Sequence, residues 1–311
     1  MINPEYSVVI PVYNSENTIE ELYKRISLVF SKMNSSFEII FIDDNSIDNS
    51  WQILKELQKS DDKVKTIHLT RNFGQHNATL CGFHHANGEY VIILDDDLQH
   101  PPEEIPKLID KIKNGYSGVY GKYILKQHSR TENFFSSIFE KVMHCVLKIP
   151  NKVYISSFAI FSKDVIQNAR NFKGSYIFLP AIISESTSMN NVTDVEVLHN
   201  PRKDGQSNYS LLRYLKLSLN LIINHSVIPL TLISALGFLI SIVSILYGIY
   251  VLIRSITDPF FGLMGWSSLM VVVAFSSGII LLSLGIIGEY LRRVLVEVSY
   301  GQQFLIGEKY L

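Results

Sequence analysis

The sequence predicts an α/β fold, a mostly parallel β-sheet with helices on both faces, followed by two transmembrane α-helices. Three observations carry this expectation. Short apolar, β-rich runs alternate with amphipathic stretches ahead of the apolar C-terminal third, the rhythm of a sheet built from strand-helix-strand units. Each of the first four runs ends in a polar cluster, where an open sheet of this kind carries its ligand crevice. No charged residue occurs from Val227 to Ile253 or from Leu263 to Gly288. At about 1.5 Å per helical residue, each segment is long enough for a hydrocarbon layer of about 30 Å.

In chain order, strands are expected at Ser7 to Val12, Glu38 to Asp43, Val64 to Leu69 and Tyr90 to Asp95, with helices between them. Their ends carry Pro11-Val12-Tyr13-Asn14, Asp43-Asp44-Asn45-Ser46, Thr70-Arg71-Asn72-Phe73-Gly74 and Asp95-Asp96-Asp97. No G-x-G-x-x-G loop follows the first run and no P-loop is present, so a bound phosphate would rest on metal and side chains. From Tyr209 to Asn224 the spacing of Leu211, Leu212, Leu215 and Leu219, with Arg213 and Lys216 interspersed, suggests an amphipathic helix lying at a membrane surface. The division that follows is a globular domain at 1–208, an interfacial helix at 209–226, spans at 227–253 and 263–289, a connecting loop at 254–262 and a tail at 290–311.

The fourth run is the most informative, because it ends in three consecutive carboxylates and then Pro101-Pro102. Adjacent carboxylates resist ionising together, and a hard divalent cation carrying a phosphate-bearing ligand would neutralise them. A solvated acidic turn is the competing reading, since Pro102, Glu103 and Glu104 resemble a first helical turn. Convergence of four polar strand ends on one edge favours the site. His76, His84, His85 and His100 are not read as a metal cluster: adjacent helical positions face apart, and oxygen-seeking cations do not favour imidazole. His100 alone keeps a site role, by its nearness to the carboxylates.

The 311 residues carry a formal net charge of -1, with most charge ahead of residue 226. Arg202, Lys203, Arg213 and Lys216 precede the first apolar segment and Arg292 and Arg293 follow the second, whereas the connection holds Arg254 and Asp258. The positive-inside bias therefore places both ends and the large domain in the cytoplasm, and no cleavable signal is expected. Cys81 and Cys145 stand in apolar surroundings and read as core residues of a reducing compartment. Nucleic acid is not among the expected partners.

Val9 to Asn14, Asp43 to Ser46, Arg71 to Gly74, Asp95 to Pro102 and Arg202 to Ser207, in that order, resemble the motifs of glycosyltransferase family 2, and within it the membrane-anchored polyprenyl-phosphate glycosyltransferases. The resemblance implies a GT-A type fold. It also implies that Asp95 and Asp97 are the D-x-D pair holding Mg²⁺ or Mn²⁺ against a nucleotide-sugar diphosphate, with Gln99 close to the metal. Pro11, Tyr13, Asp44, Arg71 and Asp96 form the implied nucleotide set: Asp44 accepts from the base, Pro11 and Tyr13 wall the nucleotide, and Asp96 separates the metal pair. The acceptor is a polyprenyl phosphate, whose attack on the anomeric carbon inverts it. Asp97 together with Lys122, Arg130 and Arg202 makes up the expected catalytic set, the three cations holding the two anions together, and Ser207 and Tyr209 support a loop over the donor. A UDP-linked donor, residence in the inner membrane, a homo-oligomer (a tetramer), a flippase and a downstream transferase also follow from the resemblance. In one segment the chain departs from it, for many relatives carry an acid and a following arginine where this chain has Ser157 and Ala159. A transferase acting on a sugar or polysaccharide acceptor and a catalytically silent membrane adaptor are the rival readings. The absence of a Gln-x-x-Arg-Trp segment speaks against a processive polymerase.

Overall fold

The computed structural model describes residues 4–123, 143–144, 146–147, 150, 153–174, 176–200, 228–257, 265–299 and 303–311. Arg130, Arg202, Ser207, Tyr209, Cys145, the segment 209–226 and the connection 258–262 lie outside them. The first compact unit comprises Met1–Leu215 and Tyr300–Leu311, and the second Lys216–Ser299.

Strands β1 (Tyr6–Val12), β2 (Phe37–Asp43), β3 (Val64–Leu69) and β4 (Tyr90–Ile93) form the parallel centre of an eight-stranded sheet. Every residue of β1 and β2 is buried, which is why both read as near-continuous apolar runs. β5 (Gly118–Tyr123), β6 (Ala159–Ser162), β7 (Val192–Val197) and β8 (Ile306–Tyr310) complete the order β7-β5-β6-β4-β1-β2-β3-β8. The sheet is mixed, with most of its strands parallel as expected: β5 and β7 pair in parallel, whereas β6 lies antiparallel between β4 and β5, and β8 lies antiparallel against β3.

Alternation along β1 divides the core. Tyr6, Val8, Ile10 and Val12 share one cluster with Ile19, Leu22 and Ile26 of α1 (Ile19–Met33), Leu54 of α2 (Ser50–Ser60) and Ile105, Leu108 and Ile109 of α4 (Ile105–Ile112). Val9 faces α3 (Gln75–His85), which approaches so closely that a Cβ on Gly82 would lie 2.3 Å from Val9 Cγ1. Helix α5 (Lys163–Arg170) packs with α3, and α6 (Leu179–Ser186) packs with α5. Arg170 donates through Nε to the Phe83 carbonyl at 2.6 Å and through its terminal nitrogen to Ala86, satisfying carbonyls at the end of α3.

The β1–β4 ladder ends at Val9↔Ile93, with one further bond from Leu94 N–H to the Val9 carbonyl at 3.2 Å. Pro11 has no N–H to extend that ladder, and the two chains part here. Strand order also reverses at this place, since β2 and β3 lie to one side of β1 and β4 to the other. Such a switch point is where open α/β sheets leave a crevice.

Residues 306–310, expected within a tail, instead form the edge strand β8. Gly307, Glu308 and Lys309 give it no apolar run, and the unpaired edge of β3 is what makes it a strand. The second unit contains α7 (Ile228–Thr257) and α8 (Trp266–Ser299). α7 runs through positions 254–257 that were expected to open the connecting loop, and α8 runs past 289. Among the described residues, Phe275–Arg292 is one stretch long and apolar enough to cross a membrane, and α7 carries a shorter apolar run, Pro229–Ile240.

Candidate functional site

At the parting of β1 and β4 lies an open cleft of about 610 Å³, lined by Pro11 to Ser15, Asp44, Asn72, Gly74, Gln75 and Asp95 to Asp97. All four expected strand ends thus contribute to one cavity. Three non-glycine residues around it, Asn14 (φ 56°), Asn45 (φ 61°) and Leu98 (φ 59°), hold left-handed backbone. Asparagine tolerates this region; a leucine there is strained by about 1–3 kcal/mol. Leu98 is buried, and Asn200 clips its turn by donating from Nδ2 to the Leu98 carbonyl (3.3 Å) and from N–H to the Gln99 carbonyl (2.8 Å).

Neighbours fix each aspartate of the trio. Asp95 accepts from Gln75 Nε2 on Oδ1 at 2.6 Å and from the Ser157 hydroxyl on Oδ2, with His100 Nε2 at 3.5 Å. Burial draws its carboxyl upward, but the His100 and Ser157 hydrogen bonds prevail, and the group sits below its ordinary value. Asp96 accepts from Tyr13 N–H at 3.1 Å and from the Ser15 hydroxyl, so this residue, expected as a spacer, ties the β4 turn to the β1 turn. Burial and its two acidic neighbours push Asp96 up to about 6 against those bonds. Asp97 Oδ1 accepts from Gln99 N–H at 3.0 Å and closes the turn.

Asp44 is buried, and its two oxygens take the N–H groups of Phe73 (2.7 Å) and Gly74 (2.8 Å). It therefore clamps the turn after β3 while lining the cleft, and each oxygen has a second lone pair for a ligand. Burial raises its carboxyl and these two bonds oppose the rise. Asn14 and Ser46 join the turns after β1 and β2, through Asn14 N–H to Ser46 Oγ (3.0 Å) and Ile47 N–H to Asn14 Oδ1 (2.9 Å).

Pro11, Tyr13, Asp44, Asp95, Asp96 and Asp97 are thus brought together, whereas other expected residues stand apart. Arg71 is exposed, with its guanidinium 4.6 Å from the Phe73 ring, and does not line the cleft. Lys122 is exposed on β5, opposite Glu196 of β7. Gln99 contributes its backbone to the acidic turn and is not among the lining residues. Gln75 and Ser15 escaped the sequence reading, because contacts 20 and 81 residues apart leave no local pattern. His100 is buried between Tyr123 (5.2 Å, 15° between rings) and Phe158 (5.5 Å, 14°), beneath Asp95. His84 lies against Phe304, and His85 Nδ1 lies 3.0 Å from the Cys81 carbonyl.

Among the described residues no three His, Cys, Asp or Glu side chains form a closed metal cage. Two carboxylates from one turn, with the third turned aside to Tyr13 and Ser15, suit Mg²⁺ or Mn²⁺, which bind through few carboxylates and complete their shells with water and phosphate oxygens. Asp95 and Asp97 would hold such an ion.

Residues 7–169 match the family described as Glycosyl transferase family 2. The chain is 34% identical to the uncharacterized glycosyltransferase YkcC of Bacillus subtilis, over 98% of this chain and 94% of that one. It is 31% identical to an undecaprenyl-phosphate 4-deoxy-4-formamido-L-arabinose transferase of Shewanella sediminis, over 97% and 93%. Among solved structures, glucosyl-3-phosphoglycerate synthase of Mycobacterium tuberculosis in complex with Mn²⁺, UDP-glucose and phosphoglyceric acid superimposes with a TM-score of 0.51. The match has 16% identity over 71% of this chain and 78% of that one, a likeness of fold.

Proposed function

The chain belongs to glycosyltransferase family 2, and on that premise we propose that it moves one sugar from a nucleotide-sugar to a polyprenyl phosphate at the cytoplasmic face of the inner membrane. The observation that carries this reading is the junction of Asp95 to Asp97 with Pro11 to Ser15 and Asp44 at the switch point. An acidic turn facing a polar crevice suits a cation-bound diphosphate. Asp44 and the wall formed by Pro11 and Tyr13 would receive the base, and UDP is the proposed nucleotide. The Shewanella relative's name supplies the acceptor class.

A phosphate monoester is largely ionised near neutral pH, so the acceptor needs no strong base. Its oxygen forms a bond to the anomeric carbon as the bond from that carbon to the nucleoside diphosphate breaks, and configuration inverts. A divalent ion, when bound, offsets the charge developing on the leaving diphosphate. The chain's own share is positioning. Asp96 locks the β1 and β4 turns together, Asp44 fixes the β3 turn, and His100, Ser157 and Gln75 orient Asp95. A neutral hydroxyl at Ser157 agrees with an acceptor that is already anionic. Arg202 is the proposed cation for that acceptor, and Asn200, two positions before it, is anchored to the acidic turn. Lys122 and Arg130 are proposed in supporting roles.

Membranes containing the protein, supplied with undecaprenyl phosphate, Mg²⁺ or Mn²⁺ and a panel of nucleotide-sugars, should yield a lipid monophosphate sugar identifiable by mass. Asp97→Asn should lower the yield by at least about 100-fold while leaving membrane insertion intact. Sugar appearing only in a large polymer, or no product with any donor, would overturn the reading.

A further inference from the structure

Beneath the turn that carries Asp44 lies a buried pair that the proposed chemistry does not use. Asp43, the last residue of β2, is fully buried and does not line the cleft. Alternation along β2 places it on the side of Phe41, which shares a cluster with Leu54 of α2. Asp43 Oδ2 lies 2.6 Å from Nδ1 of His68, the residue opposite it on β3, and accepts from Ser46 N–H at 3.3 Å. Asp43 Oδ1 is buried without a hydrogen-bond partner among the described residues. A carboxylate only accepts, so the imidazole proton facing it sits on Nδ1. His68 is held in turn: its ring stacks on Trp51 of α2 at 4.9 Å, with 29° between the planes, and Glu308 of β8 stands opposite it.

We infer that His68 is a positioning residue for the nucleotide base: it fixes Asp43, and Asp43 sets the turn from which Asp44 faces the cleft. The inference rests on the reading of Asp44 as the group that receives the base. With Oδ1 unpartnered, Asp43 depends on the two donors at Oδ2, and the Ser46 bond is longer than the usual N–H···O range. Loss of the His68 donor would leave a buried charge on that one bond, and the turn would shift to bring it to water. Asn45, inside this turn, already holds left-handed backbone, and Ser46 Oγ carries the link to Asn14 of the β1 turn. The acidic turn after β4 has its own anchors in Tyr13, Ser15, Gln75 and Ser157. The effect of His68 therefore falls on the base and spares the diphosphate.

The test is equilibrium binding of UDP and of inorganic pyrophosphate to the full chain in detergent with Mn²⁺. His68→Phe keeps a ring against Trp51 and removes the donor, whereas His68→Asn places an amide N–H near the position of Nδ1. His68→Phe should weaken UDP by about 10-fold, as expected for a lost hydrogen bond to a charged group, and leave pyrophosphate within about 2-fold. His68→Asn should recover most of the UDP loss. Retained pyrophosphate binding reports that each variant is folded, and a merely structural role for His68 would weaken both ligands together. Unchanged UDP affinity in His68→Phe overturns the proposal, as does equal weakening of UDP and pyrophosphate, or a His68→Asn variant as weak for UDP as His68→Phe. Failure of the unmodified protein to bind either ligand would overturn the cleft reading itself, a result distinct from all three.

Discussion

Asp95 shows how much of the site lies outside its motif. Both oxygens are engaged by neutral donors from distant segments, Gln75 at the start of α3 and Ser157 ahead of β6, and His100 lies beneath them. Groups that orient a metal-binding carboxylate typically change metal affinity by about 10–100-fold when removed. Ser157→Ala should therefore raise the Mn²⁺ concentration for half-saturation by about 10-fold, read directly from the electron paramagnetic resonance signal of free Mn²⁺. Ser157→Asp should do worse than Ala, because a second carboxylate would face Asp95 where a donor now stands. Unchanged Mn²⁺ binding in both variants would remove Ser157 from any positioning role. The chemistry of the aspartates could be read from their strand-end position. Their division of labour could not, since the Asp96 contacts to Tyr13 and Ser15 span more than 80 residues.

Among elements, α3 couples the core to the site. It lies on β1 through Gly82, and its first residue holds Asp95. Gly82→Ala would add a Cβ 2.3 Å from Val9 Cγ1, and overpacking of about 1–3 kcal/mol should outweigh the gain in helix propensity of about 1 kcal/mol. A lowered melting temperature, recovered in Gly82→Ala/Val9→Ala, is the expected outcome; a more stable Gly82→Ala would refute the close packing. Cys81 on the same helix is buried, and burial pushes its thiol from 9.0 up to about 12, with Lys309 opposing. Any stability it contributes is whole below pH 9 and is lost as pH rises through 12, where the folded form must bury a thiolate. In a Cys145→Ser background, alkylation of Cys81 at pH 8 should proceed only as fast as α3 opens, and UDP with Mn²⁺ should slow it. Rapid labelling of the native protein would show that the helix is not seated. The same scale explains what could be read from sequence. β1 and β2 are buried throughout, so their runs are plain, whereas β6 is four residues long and β8 is polar, each a strand through pairing across the sheet.

For the whole molecule, chain connectivity decides the topology. Residues before Lys216 and after Ser299 belong to one compact unit, and β8 pairs with β3 inside it. A chain that leaves this unit for a bilayer and returns to the same sheet must cross an even number of times. Either both long helices span or neither does, so the apolar stretch Phe275–Arg292 cannot be a lone crossing. At about 1.5 Å per residue, α7 and α8, 30 and 34 residues long, each exceed a hydrocarbon layer of about 30 Å. Flanking arginines and lysines favour the cytoplasm for the sheet. In a Cys81→Ala/Cys145→Ala background, Phe260→Cys should react with a membrane-impermeant maleimide on intact cells, and Glu308→Cys only after permeabilisation. Equal protection of the two positions would mean that neither helix crosses, and labelling of Glu308→Cys alone would invert the orientation.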